Sequence, residues 1–328
     1  MATIAQLAGV SATTVSKVLN GQAGVAPDTR RRVEAMLSEQ GYRRPPVTAP
    51  AAAIETLFYG VESDQAIQVM HGVERVARQN DLAVGFTDAL AAVDGGRSWS
   101  DQLLSRRPLG VIVVHSTFTG EEPGQLGVSG IPLVALDPLG EAPQATPSVG
   151  ATNWSGGVTA ARHLVELGHR RIAVISGPTD YLCARARLEA CRAALDTAGV
   201  PLDSRLVRTG RFRFEAGLHL AGELLSLPDR PTAVLCGDDV QALGVYEAAR
   251  RAGLRIPDDL SVVGFDDIAS AEYCPPPLTT VRQPFAEMGE AAASMLLTLA
   301  AGHSLPQTRM ELATTLVVRA STAPPPHA

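Results

Sequence analysis

The feature that most constrains this chain is a short stretch near its start, residues 8–20. Ser11 can begin a helix there, because its hydroxyl can accept a hydrogen bond from a backbone N–H that the first turn leaves unpaired. The apolar residues of that helix fall on one face, at Val15, Val18 and Leu19. A second apolar stripe precedes Gly9, where the chain must turn sharply. The stretch therefore predicts a helix-turn-helix.

The outward face of the second helix carries small polar side chains rather than the glutamate–lysine mixture of a merely solvated surface. Lys17 lies on this face and is the only lysine of the chain. A third apolar stripe follows, at Val33, Met36 and Leu37. The alternative is an ordinary corner between two helices of a helical domain. The third stripe counts against it and favours a compact three-helix unit with a recognition helix.

The segments Ile4–Ser11, Thr14–Gly21 and Thr29–Tyr42 together resemble the DNA-binding domain of the LacI/GalR family of bacterial transcription regulators. The resemblance implies double-stranded operator DNA as a partner. The residues expected to reach base edges are Ala12, Thr13 and Lys17. Those expected to contact the DNA backbone are Ser11, Thr14, Ser16, Asn20, Thr29 and Arg30.

The net charge of −6 argues by itself against nucleic-acid binding, but the charge is unevenly distributed. Residues 1–46 carry six basic and three acidic side chains, so this head has a net charge of +3 and the remainder −9. A basic head on an acidic body fits a phosphate-binding module joined to a ligand-binding one. A solvated helix face remains the alternative for Arg30–Arg32.

The composition indicates a globular protein of a reducing compartment. No apolar run approaches the roughly 20 residues that span a membrane, and no secretory signal opens the sequence. No two of the four cysteines form a C-x-x-C motif, and this spacing is typical of buried, unpaired thiols. We therefore expect a cytoplasmic protein without membrane contact.

A proline-rich linker is predicted over residues 43–53, of which 47–53 separates the two domains. In most members of the resembled family this segment folds as a hinge helix that inserts a leucine into the minor groove. Here three prolines interrupt it and no leucine occurs. We expect an extended linker whose Arg43 and Arg44 contact phosphates.

From residue 54 onward, apolar runs alternate with helical stripes. Strands are predicted at 55–60, 83–87, 110–114, 132–136, 171–175, 233–236 and 261–265. Helices are predicted near 154–167, 183–198, 214–226 and 239–252, and an early helical stripe comprises Ile67, Met70, Val73, Val76 and Ala77. Such alternation produces parallel sheets with helices on both faces. Because this alternation continues over more residues than one sheet can accommodate, two doubly wound subdomains are expected.

The segments His163–Ala173, Ile256–Asp267 and Pro276–Pro284 extend the resemblance to nearly the whole chain. It implies an all-α helix-turn-helix head joined to an α/β periplasmic-binding-protein-like core, with a small ligand between two lobes. The predicted division is a head (1–46), a linker (47–53), an effector-binding and dimerisation domain (54–320) and a tail (321–328). Within that domain, the N-subdomain takes 54–150 and 282–306, and the C-subdomain 151–281 and 307–320.

Polar residues just after predicted strands are the candidates for ligand binding, because ligands of open parallel sheets lie beyond the carboxyl ends of the strands. These residues are Asp64, Asp137, Asp238 and Asp266. Carboxylates accept hydrogen bonds from hydroxyl groups, which suits a sugar. Arg187 could donate a fork of hydrogen bonds, and Phe212 could stack on a sugar ring.

The resemblance supports Arg187, Phe212, Asp238 and Asp266 at matching positions, although members of the family mostly carry asparagine in place of Asp238. A helix N-cap is the alternative role for each aspartate, Asp239 and Asp267 included. For Arg187 the alternative is a structural salt bridge. Ser155-Gly156-Gly157 could bind an anion at a helix start, but a plain N-cap is the simpler interpretation.

The sequence predicts no enzyme, metal site or cofactor, because no phosphate loop, metal-ligand spacing or nucleophile–base set occurs in it. A homodimer is expected, since one recognition helix reads too few base pairs. We therefore predict a regulator, most simply a repressor of carbohydrate-utilisation genes controlled by a sugar or oligosaccharide. The alternatives are a purine, nucleoside or sugar-phosphate effector, or a sugar-binding protein without a role in gene control.

Overall fold

The computed structural model describes residues 2–19, 24–39, 51–59, 64–89, 99–117, 129–143 and 146–326. The chain forms two compact units, residues 1–150 with 285–310 and residues 151–284 with 311–328. It therefore passes three times from one unit to the other. The second and third crossings, at 284/285 and 310/311, lie three and four residues beyond the positions 281/282 and 306/307 that the sequence indicates.

The head consists of helices α1 (Ala2–Leu7), α2 (Ala12–Leu19) and α3 (Pro27–Glu39). Gly9 has a positive φ of 64°, and its neighbour Val10 donates a backbone hydrogen bond to the carbonyl of Ala5. The turn between α1 and α2 is therefore one that glycine makes without strain. The buried core of the head consists of Ile4, Ala5, Ala8, Val15, Val18, Leu19, Val33 and Leu37.

The first unit contains a parallel sheet with helices on its faces. Its strands are β1 (Ala51–Phe58), β2 (Ala83–Asp88), β3 (Pro108–Val114), β4 (Leu133–Leu136) and β5 (Ser148–Ala151), with β11 (Arg309–Leu312) at one edge. Its helices are α4 (Asp64–Gln79), α5 (Trp99–Arg106) and α11 (Phe285–Ala300). Helices α4 and α11 can pack closely because Gly72 has no side chain. A Cβ atom at this position would overlap the backbone of Ala286.

The second unit repeats this plan. Its strands are β6 (Ile172–Ser176), β7 (Val207–Thr209), β8 (Ala233–Cys236), β9 (Ser261–Asp266), β10 (Thr279–Arg282) and β12 (Thr315–Val317). Its helices are α6 (Asn153–Glu166), α7 (Leu182–Thr197), α8 (Phe214–Leu225), α9 (Asp239–Arg251) and α10 (Ala269–Tyr273). Leu164 and Leu195 belong to the apolar core on one face of the sheet, and Leu224 and Val245 to that on the other.

The two sheets have the same strand order. It is β11-β5-β4-β3-β1-β2 in the first and β12-β10-β9-β8-β6-β7 in the second, and the pairings from β2 to β5 and from β7 to β10 are parallel. The chain reverses its winding between β1 and β3 and between β6 and β8. In doubly wound folds ligands bind at this switch point, beyond the carboxyl ends of the strands.

Three local expectations need correction. Residues 51–53, predicted as linker, already belong to β1, because pairing with β2 and β3 satisfies their backbone groups although alanine gives little strand signal. Ile67 is 59% exposed, since α4 turns Ala66 and Val69 inward instead. Helix α6 begins at Asn153, so Ser155-Gly156-Gly157 lies inside it rather than at its cap. The predicted linker contacts of Arg43 and Arg44 lie outside the described residues.

Candidate DNA-reading helix and ligand site

Helix α2 presents the side chains predicted to read DNA. Ser11 caps the helix, since its Oγ accepts from the Thr14 backbone N–H at 3.1 Å and lies 2.9 Å from Thr14 Oγ1. The apolar face of α2 is buried in the head. The opposite face is exposed at Ser11, Ala12 and Thr13 and half-buried at Thr14, Ser16 and Lys17.

The other predicted DNA contacts lie on or near α3. Thr29 is half-buried in its first turn. Nη1 of Arg30 lies 3.5 Å from the carboxylate of Asp101, so its charge is partly balanced within the protein. Asn20 lies outside the described residues. The predicted roles of these three residues stay predictions.

Arg187 is the centre of a polar cluster at the switch point of the second sheet. It projects from α7, and the residue is 6% exposed. Its Nε donates to Asn153 Oδ1 at 2.8 Å and its Nη1 donates to the Gly237 carbonyl at 2.6 Å. Its Nη2 lies 3.5 Å from Asp266 Oδ1, and its guanidinium carbon is 3.7 Å from the centroid of the Phe265 ring. The arginine is therefore rigidly held, with N–H groups to spare for a ligand.

Phe212 lies over two glycines at the ends of the switch-point strands. A Cβ on Gly177 would overlap its ring, and one on Gly237 would lie 2.9 Å from its Cε1. The Tyr181 ring centroid is 6.2 Å away. The loop that carries Phe212 is fixed by Gln241, whose Nε2 donates to the Arg211 carbonyl at 3.0 Å. The half-buried ring is thus one wall of the cluster.

Three buried carboxyl groups lie close together here, and two of them, Asp238 and Asp266, interact with Arg187. Asp238 caps α9 by accepting the Gln241 backbone N–H at 2.8 Å, which is the N-cap role that the sequence left open. Burial, followed by the nearby charge of Asp266, raises the pKa of Asp238 to about 7. Asp239 accepts from Thr280 Oγ1 at 2.5 Å and from the Ile268 N–H at 2.9 Å, and burial raises its pKa well above the usual range. Asp239 is thus a buried structural group.

Asp266 has a strained backbone, and its side chain is held by neighbouring residues. Its φ is 110°, in the left-handed region that is uncommon outside glycine. Its Oδ1 accepts from Gln283 Nε2 at 2.6 Å and lies beside Arg187. Gln283 is 2% exposed, and its Oε1 has no hydrogen-bond partner within the part of the chain that the structure describes. The hydrogen-bonding capacity of this buried acceptor is therefore unused among the described residues.

The structure brings Arg187, Phe212, Asp238 and Asp266 to one edge of one sheet. The other two predicted ligand residues belong to the first unit. Asp64 is the first residue of α4. Asp137 follows β4 with a φ of 45°, and its Oδ2 lies 3.3 Å from Nε2 of His115, which follows β3 with a φ of 55°.

Several residues of the cluster were not found from the sequence. Asn153 orients Arg187, and its own amide is fixed by a bond to the Ala151 carbonyl at 3.2 Å. Gln283 lies in the segment 276–284, which carries part of the family resemblance. Residue spacing alone gave no role for this side chain. Gln241 gave no signal, because its partners are as far as 65 residues away in sequence.

Comparison with known proteins agrees with this architecture. The model of the LacI family of bacterial regulatory proteins matches residues 1–45, and that of periplasmic-binding-protein-like domains matches residues 161–322. The HTH-type transcriptional regulator MalR of Streptomyces coelicolor is 35% identical over 339 residues, covering 99% of this chain and 97% of MalR. This chain belongs to the LacI family. It is therefore a DNA-binding transcriptional regulator and not an enzyme.

Other members of the LacI family resemble the chain over its whole length. The ribose operon repressor of Escherichia coli is 33% identical over 98% of this chain and 99% of that repressor. The structure of a CelR–cellobiose complex has a TM-score of 0.77 at 32% identity, covering 97% of this chain and 98% of that one. The lac repressor dimer bound to operator has a TM-score of 0.72 at 28% identity and covers 98% of both chains. Within the described residues, no helix combines the length and hydrophobicity needed to cross a bilayer.

Proposed function

We propose that this LacI-family regulator is a repressor of carbohydrate-utilisation genes, and that its effector is an uncharged sugar bound by Arg187, Phe212, Asp238 and Asp266. The observation that carries the proposal is the buried, fully oriented Arg187–Asp266 pair beside an aromatic ring. Hydroxyl groups would donate to the carboxylates and accept from the guanidinium, while a sugar ring would stack on Phe212. Relatives named for ribose and cellobiose support this class of ligand.

The balance of charge favours a sugar over a sugar phosphate. Asp266, and at pH values above about 7 also Asp238, would place a buried negative charge beside Arg187, which is the only buried arginine or lysine among the described residues. Bringing a phosphate into this acidic surrounding would place like charges together at low dielectric, which is costly. A purine base could stack on Phe212, but it offers fewer donors to the carboxylates and to the free Oε1 of Gln283.

We infer that two copies of the head read a palindromic operator, as the lac repressor dimer binds its operator. Ala12, Thr13 and Lys17 would contact base edges. The backbone would be held by Ser11, Thr14, Ser16, Asn20, Thr29 and Arg30. Since the Ser11 hydroxyl already accepts a capping bond, it would donate to a phosphate. Such a regulator acts where the chromosome lies, in the cytoplasm and on the nucleoid.

Effector and operator would be linked reciprocally, because a ligand that favours one state of the dimer changes its affinity for DNA by the same factor that DNA changes its affinity for the ligand. A sugar that binds one state of the dimer more tightly would thereby change the operator affinity of the two heads.

The test has two parts. Bound DNA is first selected from a random pool by the purified protein, and an enriched palindrome is expected; Thr13→Ala should enrich a different one. The protein is then screened by thermal shift against ribose, cellobiose, ribose 5-phosphate and hypoxanthine. A sugar at 100 times its Kd should add ~2.7 kcal/mol of stability. Stabilisation by the phosphate or the purine alone would overturn the sugar proposal, and the absence of any enriched sequence would overturn the operator proposal.

A further inference from the structure

Two consecutive aspartates, the last residue of β9 and the residue after it, have a backbone in the left-handed region. The φ angle is 110° at Asp266 and 61° at Asp267. Aspartate and asparagine adopt this region more readily than other non-glycine residues, yet the conformation still costs free energy. Two such residues in succession persist only where the surrounding structure holds them.

The side chain of Asp267 is held by two arginines. Its Oδ1 lies 2.7 Å from Arg319 Nη1, and its Oδ2 accepts from Arg282 Nε at 2.7 Å. The Asp267 side chain is 6% exposed, that of Arg319 16% and that of Arg282 54%. Arg319 is itself fixed, because its Nη1 donates to the Leu278 carbonyl at 2.9 Å. The pair with Arg319 is the better shielded from solvent, but Asp267 Oδ1 makes no hydrogen bond within the described residues, so that contact is an ion pair alone, whereas Arg282 also donates a hydrogen bond.

These arginines belong to the segments by which the chain leaves and re-enters the second unit. Arg282 is two residues from Pro284, the last residue before one crossing, and Arg319 follows the crossing at 310/311. Gln283, between Arg282 and Pro284, donates its side chain to Asp266 Oδ1. The turn formed by Asp266 and Asp267 thus connects the predicted effector carboxylate, that of Asp266, to the segment that carries Arg282 and to the segment that carries Arg319.

We propose that Asp267 is a positioning residue of the effector site: its ion pairs with Arg319 and Arg282 hold the turn that presents the Asp266 carboxylate. The identity of the ligand rests on the proposed function, whereas the holding of the turn does not. Asp267 contacts no ligand in this account and acts only through Asp266.

The experiment compares Asp267→Asn and Asp267→Gly with the parent, in the full-length protein. Both replacements tolerate a positive φ and remove the charge, so backbone strain is separated from the ion pairs. Asp203→Asn is the matched control, because Asp203 lies in the same unit and also pairs with two arginines, Arg205 and Arg171, but has an ordinary φ of −64°.

Hydrogen exchange needs no ligand. The amides of Ile268 and Gln283 report on the turn, because they donate to Asp239 Oδ2 and to the Asp266 carbonyl. Both position-267 variants should exchange about tenfold faster at these two amides, with the core strand β8 unchanged and Asp203→Asn like the parent. Parent-like exchange at the two amides, or an equal acceleration throughout the unit, would overturn the proposal.

Calorimetric titration with cellobiose and with ribose then tests the effect on the site. Whichever sugar binds the parent should bind Asp267→Asn about tenfold more weakly, and the same change made in an Asp266→Ala background should have no further effect. An additive loss in that background would overturn the positioning role. If neither sugar binds the parent, the proposed effector class is wrong, while the exchange result still decides the role of Asp267.

Discussion

Helix α2 and the switch-point edge of the second sheet, where Arg187 and Asp266 lie, place their polar residues in opposite surroundings. On α2 the polar face is exposed or half-buried, and the packing of the helix depends on Val15, Val18 and Leu19. At the sheet edge, Arg187 and Asp266 are each 6% exposed and depend on one another for charge compensation. Function and folding stability should therefore be separable in the head and coupled at the edge.

The largest effect that would test this comparison is expected from Arg187→Ala. The change leaves the Asp266 carboxylate without its cation and the Gly237 carbonyl without its donor. We expect the free energy of unfolding to fall by about 3–5 kcal/mol, measured by urea denaturation. Arg187→Lys, the control that keeps the charge without the planar fork, should lose less. A loss for Arg187→Ala below about 1 kcal/mol would break the proposed coupling.

A second effect concerns pH. Because burial raises the pKa of Asp238 to about 7, the folded protein retains a proton that the unfolded chain releases near pH 4. The stability contributed by this proton is present below about pH 4 and is lost as the pH rises toward 7. Asp238→Asn carries no such proton. Its stability relative to the parent should improve by about 2–4 kcal/mol between pH 4 and pH 8 in urea titrations. A difference independent of pH would show that folding leaves the pKa of Asp238 at its ordinary value.

The smallest effect on folding is expected in the head. Lys17→Ala should weaken operator binding by about 1–3 kcal/mol and lower the salt dependence by about one phosphate contact. Its free energy of unfolding should change by no more than about 0.5 kcal/mol, because the side chain is half-buried on a surface helix. Arg32→Ala removes an exposed cation of α3 and serves as the control for charge alone. Equal weakening by both variants would mean that Lys17 supplies only charge.

The same contrast explains what the sequence could predict. The head depends on local spacing, so the cap at Ser11, the turn at Gly9 and the buried face of α2 were all predictable. Helix bounds in the second unit were also close, because Gly168, with its φ of 100°, marks the helix end that the sequence indicates. Alternating apolar runs predicted the two parallel sheets.

The contacts at the switch-point edge of the second sheet were harder to predict from the sequence, because they join residues that are far apart in it. Arg187 and Asp266 were predicted, but their geometry depends on Asn153 and Gln283, which no spacing rule connects to them. The glycines below Phe212 gave no signal either, since their role is to leave room for a ring that arrives from another segment. The ion pairs of Asp267 are formed with two arginines that lie 15 and 52 residues beyond it, at positions 282 and 319.

The most direct test of the account measures operator affinity with and without sugar. A fluorescent duplex carrying the selected palindrome is titrated with the parent and with Asp266→Ala, each in the absence and presence of the sugar that stabilises the parent. The account predicts that the sugar changes the operator Kd of the parent by about 5-fold or more and leaves that of Asp266→Ala unchanged. An operator Kd of the parent that does not respond to the sugar, or an equal response in both proteins, would contradict it.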